Sequence, residues 1–182
     1  MPSLTFQEIQ TYCTPNKPRV FIETGTHMGD TINNVLNHFD KIYSIELSPT
    51  YAGKSQNRFK DQTHVTIING DSAQILVSLC KIVQEPAFFW LDGHWSGGDT
   101  AQGSKDCPLL EEVKAINDNL MSECTIAIDD IRLFGTKQNE DWLDITREAI
   151  LNIVKDRLVS CKYYPSEIHP EDRMVIQLNS IP

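Results

Sequence analysis

The chain has 182 residues, 40% of them apolar and 23% charged, a balance that fits one domain with one sizeable core and excludes both a disordered tail and a membrane protein. Acids number 25 against 16 lysines and arginines, a formal charge of −9. Neither a nucleic-acid backbone nor an anionic membrane would be attracted at long range, so neither is expected as a partner.

Short β-branched runs then alternate with amphipathic stretches, the pattern of a βαβ sheet. Thr5-Phe6-Gln7-Glu8 matches a capping box, predicting a short N-terminal helix within residues 1–18 that packs over the site. Arg19–Glu23 reads as the first strand, followed by a glycine-containing turn and a helix from about Asp30 to Phe39. Lys41–Glu46 is the second strand, and Pro49–Phe59 a helix whose proline suits a first turn. His64–Ile68 and Ser72–Val83 give the third strand and helix. Ala87–Leu91 is apolar on both faces, as a central strand should be. Leu109, Val113, Ile116 and Leu120 recur at helical spacing. Asp106-Cys107-Pro108 starts that helix, with Glu111 and Glu112 favourable in its first turn. Thr125–Ile128 is the fifth strand and Trp142–Val154 another helix. Val159–Tyr164 and Met174–Leu178, flanking Pro165 and Pro170, read as an antiparallel pair rather than a sixth βα unit.

Ligands of open α/β sheets bind beyond the carboxyl ends of the strands. Here those ends carry Glu23, Glu46, Asn69-Gly70-Asp71, Asp92 and Asp129-Asp130, and acids at five strand ends in register are more than loop solvation requires. The turn Glu23-Thr24-Gly25-Thr26-His27-Met28-Gly29-Asp30 has G-x-x-x-G spacing without G-x-G-x-x-G. Acids flanking it disfavour a pyrophosphate, and with it a nicotinamide oxidoreductase, and suit a cationic ligand better.

Glu23–Gly29, Glu46, Asp71 and Asp92 together resemble the ordered motifs of class I S-adenosylmethionine-dependent methyltransferases, a resemblance extending from about Arg19 to Leu178. It implies a Rossmann-like α/β fold: a seven-stranded, mostly parallel sheet with helices on both faces and the last strand antiparallel. It also implies that S-adenosylmethionine is held by Glu23, Thr24, Gly25, Thr26, Gly29, Glu46, Asp71, Ser72 and Asp92. Within that set Gly25 and Gly29 would admit the methionine part, Glu46 the ribose hydroxyls, Asp71 the adenine amino group and Ser72 the ring beside it.

A second constellation joins Asp92-Gly93-His94 to Asp129-Asp130. Three carboxylates at neighbouring strand ends repel unless a hard cation intervenes, and oxygen ligands suit Mg²⁺ or Mn²⁺. Asp92, Asp129 and Asp130 are therefore the expected metal ligands. The pattern is similar to the metal-dependent O-methyltransferases, most closely the macrocin-type branch, which carries D-G-D or a similar turn after strand four and D-D after strand five. In this chain His94 stands at the third position of the turn, and the resemblance makes it the general base; hydrogen-bonding the loop or coordinating the metal is the alternative. The expected function is transfer of a methyl group to a hydroxyl of a small molecule. A metal-independent N- or O-methyltransferase, or a non-catalytic cofactor-binding protein, is the alternative.

Only 18 residues precede the first strand, which leaves substrate cover open and is compatible with a homo-oligomer. Trp95–Lys105 is either a lid or a connection, and Trp95 and Phe134 are candidates for an acceptor pocket. Cys13, Cys80, Cys107, Cys124 and Cys161 are scattered, odd in number and without a C-x-x-C pair. With no signal-peptide pattern at the N-terminus, they point to the reducing cytoplasm. His38, His64 and His169 show no partners in the sequence and read as structural or solvent-facing.

Overall fold

The computed structural model describes residues 3–13, 17–95, 101–103, 105–137 and 140–181. In chain order its elements are α1 (Phe6–Cys13), β1 (Val20–Thr24), α2 (Asp30–Val35), β2 (Lys41–Glu46), α3 (Pro49–Arg58), β3 (Val65–Asn69) and α4 (Ser72–Ile82). They continue with β4 (Ala87–Leu91), α5 (Leu109–Asn119), β5 (Cys124–Ile128), α6 (Arg147–Val154), β6 (Leu158–Tyr164) and β7 (Arg173–Leu178). The seven strands form one sheet in the order β3-β2-β1-β4-β5-β7-β6. Pairings from β3 through β5 are parallel, and β7 is antiparallel to both of its neighbours.

β1, β4 and β5 lie at the middle and are buried at every position. Alternation along β4 sends Phe89 and Leu91 to one face and Phe88 and Trp90 to the other. The first face packs on α4, α5 and α6 through Leu76, Leu79, Val113, Ile116, Ile150 and Val154. The second packs on α1 and α2 through Ile9, Tyr12, Ile32 and Val35. Truncating a buried aromatic such as Phe88 would cost about 3–5 kcal/mol.

The N-terminal helix forms as its capping box predicts. Glu8 Oε2 accepts from the Thr5 amide at 2.8 Å, and Thr5 Oγ1 accepts from the Glu8 amide at 3.4 Å. α6 is shorter than its apolar periodicity suggests. Thr146 caps it, accepting from the Ala149 amide at 3.0 Å, and Gly135 N–H donates to the carbonyls of Trp142 and Ile145. Residues 135–137 and 140–145 thus fold back and bury Trp142. α2 likewise ends at Val35, before the expected Phe39. The closing strands are antiparallel as expected, yet the chain also completes a further βα unit. It reaches β6 through α6, and β7 returns into the place between β5 and β6. Among the described residues no helix is long and apolar enough to cross a membrane. Of the expected lid segment Trp95–Lys105, residues 96–100 and 104 lie outside the described residues.

Candidate functional site

The strand order reverses between β1 and β4, so their carboxyl ends and the loops behind them part to leave a crevice. A cleft of about 250 Å³ opens there. Gly25, Thr26, Glu46, Asp71, Ser72, Asp92 and His94, all singled out in the sequence, line it.

Gly25 stands at φ +85°, and a Cβ there would lie 2.5 Å from the carbonyl oxygen of Asp92. The turn is therefore bare backbone where β1 and β4 meet. Gly29, also left-handed at φ +78°, packs beneath the Phe59 ring and does not line the cleft. His27 adopts φ +47° without being glycine. Its amide donates to Glu46 Oε2 at 2.8 Å, while the Ser48 amide donates to Glu46 Oε1 at 2.8 Å. Two backbone donors thus fix the carboxylate at the end of β2. Asp71 caps α4, accepting from the Ala73 amide at 2.9 Å.

Glu23 and Thr24 lie under the cleft floor, fully buried. Ser44 Oγ donates to Glu23 Oε1 at 2.6 Å and is 2.5 Å from Thr26 Oγ1, so Glu23 supports a wall residue rather than facing a ligand. Burial pushes the Glu23 carboxyl up to about 8, against the Ser44 hydrogen bond and with the help of Glu46.

The β4–β5 end is different in kind. Asp92 Oδ1 is buried and has no hydrogen-bond partner among the described residues. Desolvation, with Asp129, Asp130 and Glu23 nearby, holds its carboxyl well above the usual range. The His94 side chain is only 5% exposed. Its Nδ1 lies 3.7 Å from Asp92 Oδ1, and its Nε2 lies 3.4 Å from Asp130 Oδ2 and 3.8 Å from Glu140 Oε2. Burial pushes the imidazole below its ordinary value, against the opposing pull of Asp130 and Glu140.

Among the described residues, Asp92, His94 and Asp130 bring one potential ligand atom each within 4.8 Å of one another, as do Asp129, Asp130 and Asp172. Asp129, expected as a ligand beside Asp92, turns instead toward the buried Arg173, whose Nε lies 3.3 Å from Asp129 Oδ1. The structure thus gathers His94, rather than Asp129, with Asp92 and Asp130. The second trio contains its own counter-charge, because Arg132 bridges Asp130 and Asp172.

Several groups went unread in the sequence. Arg173 sits between Asp129, Glu8 of α1 and Tyr12 Oη at 3.2 Å, with its guanidinium 5.2 Å from the Trp90 ring centre. Glu140 accepts from Trp142 Nε1 at 2.8 Å. Glu112, expected only as a favourable charge in the first turn of α5, is buried and accepts from Ser72 Oγ at 2.5 Å. Burial pushes it up to about 7, with the Ser72 and Thr24 hydroxyls opposing. Glu112 lies three residues after Leu109 and four before Ile116, so the helical period itself marks it as an acid on the core face. The remaining histidines are structural: His38 stacks on Phe6, His64 Nε2 lies 2.8 Å from the Leu36 carbonyl, and His169 bonds within its own turn. Trp95 lines the cleft, whereas Phe134 stacks on Trp142.

No protein-family model and no curated protein matches the chain. Solved structures do. An rRNA methylase from Streptococcus thermophilus superposes with a TM-score of 0.57 at 14% identity, over 100% of this chain and 99% of that one. A S-adenosylmethionine-dependent methyltransferase from Clostridium acetobutylicum gives 0.61 at 11% identity, over 97% and 90% of the two chains. The N-methyltransferase NodS from Bradyrhizobium japonicum, in complex with S-adenosyl-L-homocysteine, gives 0.59 at 11% identity, over 97% and 85%. The fold is that of the class I methyltransferases. At these identities the likeness carries the fold and stops short of the macrocin-type branch. The first of these neighbours is named for rRNA and the third for N-methylation, while the second is named for no acceptor.

Proposed function

We propose that this protein transfers the methyl group of S-adenosylmethionine to a hydroxyl of a small acceptor, with a divalent cation held at the β4–β5 end of the cleft. The single observation that carries the reading is that Asp92 and His94 belong to both halves of the site: they line the cleft and form part of the cation-sized cluster.

The chain's residues fit the cofactor. Gly25 leaves bare backbone between the two strand ends. Glu46, fixed by two amides, keeps further lone pairs for hydroxyl donors. Asp71 and Ser72 close the far side of the same cleft. When bound, the cofactor's sulfonium supplies an electrophilic methyl group, and the protein's task is alignment and removal of a proton from the acceptor.

The fit to a cation rests on the orphaned Asp92 Oδ1 and the three carboxylates around His94. A bound divalent ion would supply Lewis acidity toward the acceptor hydroxyl. Asp92 and Asp130 would hold it, while Arg173 compensates Asp129. The acid-lined cleft and the net charge of −9 favour a small acceptor over a nucleic acid. His94 borders the cleft, and burial keeps it neutral near pH 7, so its one lone pair can take the acceptor's proton or bind the cation. The reaction stands with either role.

The test is a screen of hydroxylated metabolites with methyl-labelled cofactor, run with Mn²⁺ and after exhaustive chelation, beside calorimetry with S-adenosylhomocysteine. Binding of the cofactor product with cation-dependent label transfer to oxygen is expected. Absence of cofactor binding overturns the reading; undiminished transfer after chelation overturns the cation's part.

A further inference from the structure

We propose that His94 is itself a ligand of the divalent cation, together with Asp92 and Asp130 and with Glu140 at the rim. The site would then take a first-row transition ion of the Mn²⁺ or Co²⁺ kind in preference to Mg²⁺. This inference rests on the cation in the reading above and specifies its donors.

His94 is almost wholly buried, and a buried imidazole ordinarily hydrogen-bonds through its nitrogens. Among the described residues the nearest carboxylate oxygens stand 3.4, 3.7 and 3.8 Å away, those of Asp130, Asp92 and Glu140 in that order. Those separations are too long for good hydrogen bonds. Ligands about 2.1 Å from a shared octahedral ion would stand about 3.0 Å apart when adjacent and about 4.2 Å when opposite. From Nε2 the Asp130 and Glu140 oxygens, at 3.4 and 3.8 Å, fall between these values. Asp92 Oδ1 lies 3.7 Å from the other ring nitrogen, Nδ1, and one ligand atom each of Asp92, His94 and Asp130 lies within 4.8 Å of the others. Asp92 Oδ1 adds an independent sign, being buried with no hydrogen-bond partner among the described residues.

The cluster is also braced from outside. Trp142 donates its indole N–H to Glu140 Oε2 at 2.8 Å and sets its ring edge-on to His94, centres 5.0 Å apart at 62°. Asp106 accepts from the Asp141 amide at 3.0 Å while its carbonyl accepts from the Trp95 amide at 2.7 Å, joining the two loops that enclose the ring. A nitrogen donor among carboxylates shifts preference from Mg²⁺, which favours all-oxygen shells and retained water, toward transition ions.

The experiment uses the intact chain and MnCl₂ alone. Electron paramagnetic resonance would count bound Mn²⁺, and pulsed measurements on the unmutated protein would look for ¹⁴N modulation from a directly bound imidazole. Expected are one bound ion with ¹⁴N modulation, its loss in His94→Gln, a Mn²⁺ affinity weakened about 3–10-fold in Glu140→Gln, and displacement by Mg²⁺ only in large excess. Bound Mn²⁺ without ¹⁴N modulation would overturn the ligand role and return His94 to the proton-acceptor role, leaving the cation in place. No bound Mn²⁺, with S-adenosylhomocysteine still binding, would overturn this inference and the cation reading together while sparing methyl transfer. Because the ¹⁴N signal is read on the unmutated protein, a failure of His94→Gln to fold does not blur the result.

Discussion

The two ends of the cleft handle negative charge in opposite ways. At the β1–β2 end every acid is tied down by the chain: two amides hold Glu46, Asp71 caps α4, and Ser44 serves Glu23. At the β4–β5 end Asp92, Asp130 and Glu140 crowd one buried imidazole, Asp92 keeps an unpaired oxygen, and Asp130 sits at φ +58°. The first end is complete as the chain folds. The second has an excess of carboxylate that Arg132 and Arg173 offset only in part. That difference separates a preorganised organic-ligand site from one that calls for a cation.

The comparison can be broken most forcefully at Arg173, the largest compensating charge. Arg173→Met would leave Asp129 buried beside Asp130 without a partner and free Glu8 and Tyr12 of α1. A loss of about 3–5 kcal/mol is expected from denaturant unfolding. The double variant Arg173→Met/Asp129→Asn should recover a substantial part of that loss. No recovery would mean that Arg173 acts through packing on Trp90 rather than through charge.

Glu112 marks the seam between the two ends, bonded to Ser72 and lying beneath Gly93. Its folded value of about 7 exceeds the ordinary 4.5, so the folded chain retains a proton that the unfolded chain releases. Stability from this group is full below about pH 4.5 and is lost as pH rises through 7, and Glu23 acts in the same direction up to about 8. Glu112→Gln should flatten this slope, gaining about 2–3 kcal/mol over the unmutated chain at pH 8 relative to pH 4. Urea unfolding at the two pH values measures it, and parallel pH dependences for the two proteins would refute the assignment.

The fold was readable because its signals are local. β-branched runs and the two-faced apolar stretch Ala87–Leu91 gave the central strands, Thr5 and Glu8 gave the first cap, and Pro49 gave the start of α3. The acids at the strand ends marked the cleft. What escaped depends on contacts between distant segments. Arg173 looks like any strand-edge cation until β7 inserts beside β5 and brings it to Asp129. Glu140 joins His94 only because residues 140–145 fold back toward Gly135, where the apolar period around Trp142 suggested a continuous helix. Asp129 and Asp130 are indistinguishable in sequence; the left-handed backbone at Asp130 and the guanidinium beside Asp129 tell them apart.

At the satisfied end, Glu46→Ala should weaken S-adenosylhomocysteine binding by about 1.5–3 kcal/mol, the worth of hydrogen bonds to a charged acceptor. Calorimetry at constant pH measures it. Mn²⁺ binding should be unchanged, since Glu46 lies on the other side of the cleft from the His94 cluster. If the cofactor's affinity does not move, the ribose role of Glu46 is lost.

The finest test makes one kind of substitution at both ends in chelated buffer. Asp92→Asn replaces a buried carboxyl that desolvation and three neighbouring acids hold well above its usual range, and its amide could donate to one of them. Stability should rise by about 1–2 kcal/mol, the relief expected when an unsatisfied buried acid gives way to a group that needs no raised protonation to be buried. Glu46→Gln has the reverse expectation. Its carboxylate accepts from two backbone amides, and an amide group would turn an N–H donor toward one of them, costing about 1–3 kcal/mol. Thermal unfolding of the pair reads the contrast directly, with opposite shifts in Tm. Shifts of the same sign would show that the two ends do not differ in electrostatic satisfaction. Added Mn²⁺ should then stabilise the unmutated chain and Glu46→Gln but not Asp92→Asn, because a bound ion stabilises only the state that holds its ligands.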